Sequence, residues 1–155
     1  MPVLSAGIVL HRLANGIAEV LLVHPGGPYW MKKDAGAWSI PKGVANPGEE
    51  PFAAACREFT EETGAAVPDG AALPLGEFQQ NRGKTVVAFA VRGDFDTATL
   101  RSNTFTQAWP LKSGRAASFP EVDRAGWFTL AEAAEKLVPG QRPILTALAA
   151  HLNGG

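Results

Sequence analysis

Glu58, Glu61 and Glu62 stand at i, i+3 and i+4 in the stretch from Pro51 to Gly64. On a helix these positions share one face. Like charges so placed repel by about a few tenths of a kcal/mol per pair. They also fall in the C-terminal half, where the helix dipole disfavours anions. Arg57, four residues before Glu61, is the one local charge that offsets them. A hard divalent cation such as Mg²⁺ would remove the penalty. Such ions take oxygen ligands, and they use a few carboxylates together with substrate phosphates. An acidic cluster by itself is more often a solvated helix face, so the residues around the triplet decide its meaning.

Those residues form a pattern. Gly43 is followed by five residues, Glu49, seven residues, and then Arg57-Glu58-Phe59-Thr60-Glu61-Glu62-Thr63-Gly64-Ala65. This resembles the signature of the Nudix hydrolases, G-x5-E-x7-R-E-U-x-E-E-x-G-U, with U a bulky aliphatic residue. All seven fixed positions match: Gly43, Glu49, Arg57, Glu58, Glu61, Glu62 and Gly64. Phe59 is an aromatic fit to the first U, and Ala65 a small one to the last. At average residue frequencies the seven matches arise by chance about once in 10⁸ start points. Trp38-Ser39-Ile40-Pro41-Lys42-Gly43 is similar to the W-x-x-P-K-G lead-in of several Nudix branches, dinucleoside polyphosphate hydrolases among them. Glu121, six residues before Trp127, resembles the family's downstream glutamate on a loop before a Trp-containing strand.

The resemblance implies a loop–helix–loop that holds Mg²⁺ or Mn²⁺ against a diphosphate. Carried over, Glu58 and Glu62 are metal ligands one helical turn apart. Glu61 is a ligand or acts through a bound water. The Gly43 carbonyl supplies another oxygen, and glycine suits so close an approach of the backbone. Glu49 and Arg57 match the family's structural ion pair, a role in which the planar guanidinium fork fixes geometry better than lysine. The implied reaction is in-line attack of water on a phosphorus of a nucleoside diphosphate linked to another group. A carboxylate must take the proton from that water. Glu58 and Glu121 are the candidates, and Glu121 is preferred because it comes from outside the metal helix.

The substrate is less legible. Lys33, Lys42, Arg82, Lys84 and Arg115 are candidate phosphate contacts, although isolated surface cations are usually solvated. Tyr29, Trp30, Phe105 and Trp109 are candidate base-stacking residues, although aromatics more often serve packing. The Trp38–Gly43 lead-in favours dinucleoside polyphosphates. ADP-ribose, sugar nucleotides, (deoxy)nucleoside triphosphates and RNA 5′ ends are the alternatives. Pro68 and Pro74 fall too early for the proline that ADP-ribose branches carry some way after the box. A nucleotide-sensing module without turnover is the reading from another class, and such a module is expected to have lost box carboxylates that are all present here.

Periodicity and turn residues give the secondary structure that carries these side chains. Val3 to His11 and Ala18 to His24 read as strands joined by the turn pair Asn15-Gly16, an antiparallel hairpin. His24 to Pro28 is a loop, Trp38 to Ile40 a short extended piece held non-helical by Pro41, and Asn46-Pro47-Gly48 a turn. Pro51 opens a helix that Gly64 stops, with Phe52, Cys56, Phe59 and Thr63 as its apolar stripe and Cys56 as a small buried hydrophobe. Thr85 to Val91 and Ala125 to Phe128 read as strands, and Leu130 to Val138 and Pro143 to Leu152 as helices. This order predicts one α/β (α+β) domain over residues 1–155, a Nudix-type α/β/α sandwich with a mixed, partly antiparallel sheet and the box at 43–65.

Composition is consistent with that reading. The chain has 155 residues, 46% apolar and 19% charged, which suits one domain with an ordinary core. A net charge of −1 argues against extended nucleic-acid binding. The single cysteine excludes a disulfide scaffold, and His11, His24 and His151 carry no metal spacing. No apolar run is long enough for a membrane span, and Met1 to Ser5 lacks the basic start of a signal peptide. The expectation is a cytoplasmic enzyme acting on a small nucleotide, as monomer or homodimer.

Overall fold

The computed structural model describes residues 3–154. Met1 and Pro2, which belong to the stretch read for a leader, and Gly155 lie outside the described residues.

Two long strands, β1 (Val3–Ala14) and β2 (Ile17–Pro25), form the expected hairpin. Asn15 and Gly16 turn it with φ of 52° and 80°. Both positive angles belong to the tight turn whose twist matches that of the strands it joins. β5 (Lys84–Arg92) runs parallel to β1, and β4 (Ala72–Asn81) pairs antiparallel with β5. β8 (Val122–Thr129) closes the other side against β2. The sheet order is β4-β5-β1-β2-β8, and the short β3 (Lys42–Val44) pairs with the start of β1. A separate hairpin of β6 (Thr104–Ala108) and β7 (Ala116–Pro120) leads directly into Glu121.

β1 reads as a continuous apolar run because both of its faces are covered. Ala6, Ile8 and Leu10 pack on one side with Ala54, Ala55 and Phe59 of the helix α1 (Pro51–Thr63). Val9 packs on the other with Leu22, Trp38, Leu137 and Ile144. The helices of that second layer are α2 (Leu130–Lys136), which contributes Ala133, and α3 (Arg142–Gly154), which contributes Ile144, Leu145 and Leu148. The predicted α/β/α sandwich and mixed sheet are therefore observed.

Three local readings need correction. The buried stripe of α1 is Ala54, Ala55, Phe59 and Thr63, while Phe52 and Cys56 sit half-buried at its flanks. Phe52 stacks edge-on against Phe89, but Cys56 is outside the core, because the small alanines let the helix settle on them instead. α2 ends at Lys136 rather than Val138: Leu137 turns extended to bridge Trp38, and the Val138 N–H donates to the Trp38 carbonyl. β3, β4, β6 and β7 have no counterpart among the strands expected from the sequence. Pro74 and Gly76 look like strand breakers, but β4 is an edge strand whose register shifts between them, where a missing N–H is harmless.

Gln141 joins these layers. It is fully buried; its Oε1 accepts from the Ile40 N–H at 3.0 Å, and its Nε2 donates to Ser39 Oγ at 2.9 Å and Gln80 Oε1 at 3.1 Å. Gln141→Leu strands a buried N–H and is expected to lower unfolding free energy by roughly 1–3 kcal/mol. A urea titration of both proteins measures it.

Candidate active site

α1 presents its carboxylates to the β3 strand because the two ends of the box are tied together. Arg57 Nε donates to Glu49 Oε2 at 2.9 Å and Arg57 Nη2 donates to Glu49 Oε1 at 3.0 Å, a two-pronged contact. Arg57 Nη2 also donates to the Val44 carbonyl at 3.0 Å. The pair expected between Glu49 and Arg57 is thus present, and it pins the incoming loop to the helix. Hydrogen bonding from Arg57, followed by the Asn46 N–H, holds Glu49 down at a pKa of about 2. Hydrogen bonding to Glu49 raises Arg57 in turn.

The remaining prong of Arg57 reaches the metal-candidate carboxylates. Nη1 donates to Glu58 Oε1 at 2.8 Å and to Glu61 Oε2 at 3.2 Å. Glu58 lies against Gly43 so closely that a Cβ there would overlap its carboxylate. Glu62 points inward, and its Oε1 accepts from the Lys42 N–H at 3.2 Å. Glu58, Glu62 and the 42–43 backbone therefore converge, while Glu61 is the more exposed member at 36% of its side chain against 14% for Glu58. The triplet is not a solvated face. Burial raises Glu62 to about 8, with Glu58 and Glu121 adding to the rise against the opposing Lys42. Burial also raises Glu58, where Glu61 and Glu121 act in the same direction and Arg57 opposes. Such mutual disfavour is what a bound cation would relieve.

The described residues contain no ready cluster of three His, Cys, Asp or Glu side chains around one point. The donor set nevertheless suits a hard ion. Mg²⁺ commonly takes one or two carboxylates and completes its shell with water and substrate phosphate. Two converging carboxylates beside a backbone that tolerates no Cβ fit that demand. Gly43→Ala tests the cradle. Glu58 can swing its flexible end away, so the fold survives, but its carboxylate leaves the convergence. A displacement of this kind is expected to cost about 100-fold in turnover with little change in melting temperature, read by a rate assay and a thermal scan on the same sample.

A cleft of about 280 Å³ opens beside the box, lined by Lys42, Glu62, Lys84, Glu121, Gln80 and Trp30 among others. Glu121 occupies the single residue between β7 and β8, anchored by its N–H to the Asn103 carbonyl and its carbonyl to the Gly26 N–H. Desolvation, helped by the nearby Lys84, lowers the Lys42 ammonium against the pull of Glu62 and Glu58. Of the other predicted phosphate contacts, Arg82 is exposed in the β4–β5 turn and does not line the cleft, because the turn carries it past the sheet edge. Arg115 is exposed next to β7, and Lys33 lies over the rings of Tyr29 and Trp30 at 4.2 and 4.9 Å. Trp30 lines the cleft; Tyr29, Trp30 and Phe105 line an adjoining cavity of about 440 Å³ that also includes Glu121. Trp109 is exposed and lines neither.

Sequence reasoning missed two parts of this site. Gln80 and Gln141 form the polar inner wall, and neither sits in a motif that marks it. His24 is fully buried, with Nδ1 2.8 Å from Asp123 Oδ1 and Nε2 donating to the Lys33 carbonyl. It ties the aromatic loop to the start of β8. The only signal was its place before the Pro25-Gly26-Gly27-Pro28 loop.

The NUDIX domain family model matches residues 1–148. An RNA pyrophosphohydrolase of Rhizobium meliloti (strain 1021) is 30% identical over 146 residues, covering 85% of this chain and 75% of that protein. The fold is similar to that of a C. elegans Ap4A hydrolase in a binary complex, with a TM-score of 0.68, 23% identity, and 99% of each chain covered. It is also similar to the NUDIX domain of Shewanella oneidensis NrtR complexed with ADP ribose, with a TM-score of 0.64, 17% identity, and 98% of this chain and 89% of that one covered. Described residues hold no helix long and apolar enough to cross a membrane. With the full box, the ion pair that braces it and a family match spanning nearly the whole chain, this protein belongs to the NUDIX family and is a pyrophosphohydrolase of nucleotide-linked compounds.

Proposed function

We propose that the substrate is a dinucleoside polyphosphate, hydrolysed with Mg²⁺ or Mn²⁺. The observation that carries this reading is the pair of cavities that meet at Pro25, Trp30 and Glu121. A substrate with a nucleoside at each end of a phosphate chain needs two such chambers with the reacting groups at their seam. Trp30 and Phe105 offer ring faces for a base. Lys42 and Lys84 offset phosphate charge in the cleft.

Glu58 and Glu62 would hold the divalent ion, with the Gly43 carbonyl as a further oxygen and Glu61 as ligand or water-bridged support. When bound, the ion neutralises charge on the phosphate oxygens. The chain's own residues do the rest. Arg57 and Glu49 keep the helix carboxylates in register with β3. Glu121 takes a proton from the attacking water, which forms a bond to one phosphorus as the bridging phosphoanhydride bond breaks and the leaving phosphate departs. Hydrogen bonding further supports Glu121 over Glu58: Glu58 is engaged by Arg57, whereas the Glu121 side chain has no hydrogen-bond partner among the described residues.

A second reading is favoured by one observation: the 30% identical relative is an RNA pyrophosphohydrolase. A triphosphorylated RNA 5′ end would use the same phosphate contacts and one chamber only. The deciding experiment is a hydrolysis panel with Mg²⁺ and then Mn²⁺, containing diadenosine polyphosphates, 5′-triphosphorylated oligoribonucleotide, ADP-ribose, sugar nucleotides and nucleoside triphosphates. Diadenosine tetraphosphate is expected to lead by at least about tenfold in kcat/KM, a gap of ~1.4 kcal/mol. Preference for the RNA end would replace the first reading with the second. Binding without turnover on every compound would point instead to a sensor.

A further inference from the structure

Two hollows near the helical layer lie away from the catalytic cleft. β1 and β5 carry His11 and Arg92 as register partners of a parallel pair, so both project from the same face of the sheet. The last turn of α3 brings His151 over that face. Two cavities, of about 430 and 300 Å³, share His11, Arg92 and Leu152, and His151 lines the smaller. Their walls are otherwise largely apolar: Leu13, Ala18 and Leu130 on one side, Leu73 and Ala90 on the other.

The charge here is one-sided. No aspartate or glutamate among the described residues lines either cavity. Among the described residues the side chains of His11, Arg92 and His151 have no hydrogen-bond or ion-pair partner. Arg12 also lines the larger cavity, but Glu19 and Asp94 already engage it. Burial, followed by the facing His151 and Arg92, lowers the His11 imidazole from its ordinary value. Arg92 and His151 are exposed at the rim and His11 is buried beneath them, and among the described residues no counter-charge sits beside the three. A guanidinium fork beside two imidazoles matches the two charges and several acceptor oxygens of a phosphate monoester better than the single charge of a carboxylate. The leucines around them suit an apolar body rather than a bare ion.

We propose that the trough bounded by His11, Arg92, His151 and Leu152 is a second binding site, for a small organic phosphomonoester. Phosphomonoesters are the class of compound released when a pyrophosphate bond is cut, so the site is fitted to take a product as well as an unrelated metabolite of that class. It is independent of the catalytic cleft: His11 lies five residues along β1 from Ala6, the partner of Gly43, about 17 Å at strand spacing.

Histidine-ring NMR reads this site locally. The metal-free protein is titrated with phenyl phosphate near pH 6.5, with the His11 signal assigned from H11Q. Saturable shifts of the His11 and His151 rings are expected, with the apparent pKa of His11 rising in the complex. Inorganic phosphate and benzoate should each bind at least about tenfold more weakly, since each lacks one half of the ligand. R92M should weaken phenyl phosphate at least about tenfold and leave hydrolysis at the active site unchanged. Silent His11 and His151 rings, or shifts confined to His24 beside the cleft, overturn the proposal. So does an R92M protein that binds as tightly as the wild type.

Discussion

Glu62→Gln is expected to cut turnover by about 10³-fold, which corresponds to the loss of ~4 kcal/mol of transition-state charge stabilisation. The change keeps size and one acceptor oxygen, so the Lys42 N–H retains its partner and the fold persists. What is lost is a full negative charge at the place where two carboxylates converge. Near-normal turnover would remove Glu62 from the metal site.

The same variant carries a stability signature. In the metal-free fold, burial raises Glu62 to about 8, against 4.5 for an ordinary glutamate. Between those values the folded chain keeps a proton that the unfolded chain has released. That contribution to stability is fully present below pH about 4.5 and is lost as pH rises through about 8. Wild-type protein in chelator should therefore melt at a lower temperature at pH 8.5 than at pH 6, and Mg²⁺ should restore it by compensating the buried charge. Glu62→Gln carries no proton to lose. Its melting temperature should fall less over the same interval and should respond little to Mg²⁺. Equal slopes for the two proteins would mean that Glu62 is not buried as a charge.

This buried carboxylate also shows how far residue spacing reaches. The box positions, the Glu49–Arg57 brace and the Pro51-to-Gly64 helix follow from local chemistry: a helix period, a proline at its start, a glycine at its stop. The hairpin at Asn15-Gly16 is equally local. The direction each carboxylate takes is not local. Glu58, Glu61 and Glu62 share a helix face in sequence, yet Glu62 is drawn in by a backbone N–H of β3 and Glu61 is left at the rim. The inner wall at Gln80 and Gln141 depends on an edge strand that Pro74 and Gly76 disguise and on a contact between residues 61 positions apart. Likewise Arg82 and Lys84 are alike as charges in a sequence, and only the turn between β4 and β5 decides that one lines the cleft and the other does not.

Glu121→Gln separates proton transfer from metal binding. Loss of a positioned general base typically costs about 10²–10⁴-fold, and a fall in kcat of that size is expected here. Glu121 comes from the β7–β8 junction rather than from α1, so Mg²⁺ binding measured calorimetrically should change little beside the loss in kcat. KM should move less than kcat, since Glu121 acts on the water rather than on the phosphate chain. Glu58→Gln provides the contrast. It removes a candidate ligand held by Arg57 at 2.8 Å, so it should lower Mg²⁺ affinity and turnover together. If Glu121→Gln instead leaves the rate unchanged across pH while Glu58→Gln abolishes it with metal still bound, the proton goes to Glu58. In that case Arg57 must release the Glu58 carboxylate when substrate binds, and Glu121 is left as a wall between the two chambers.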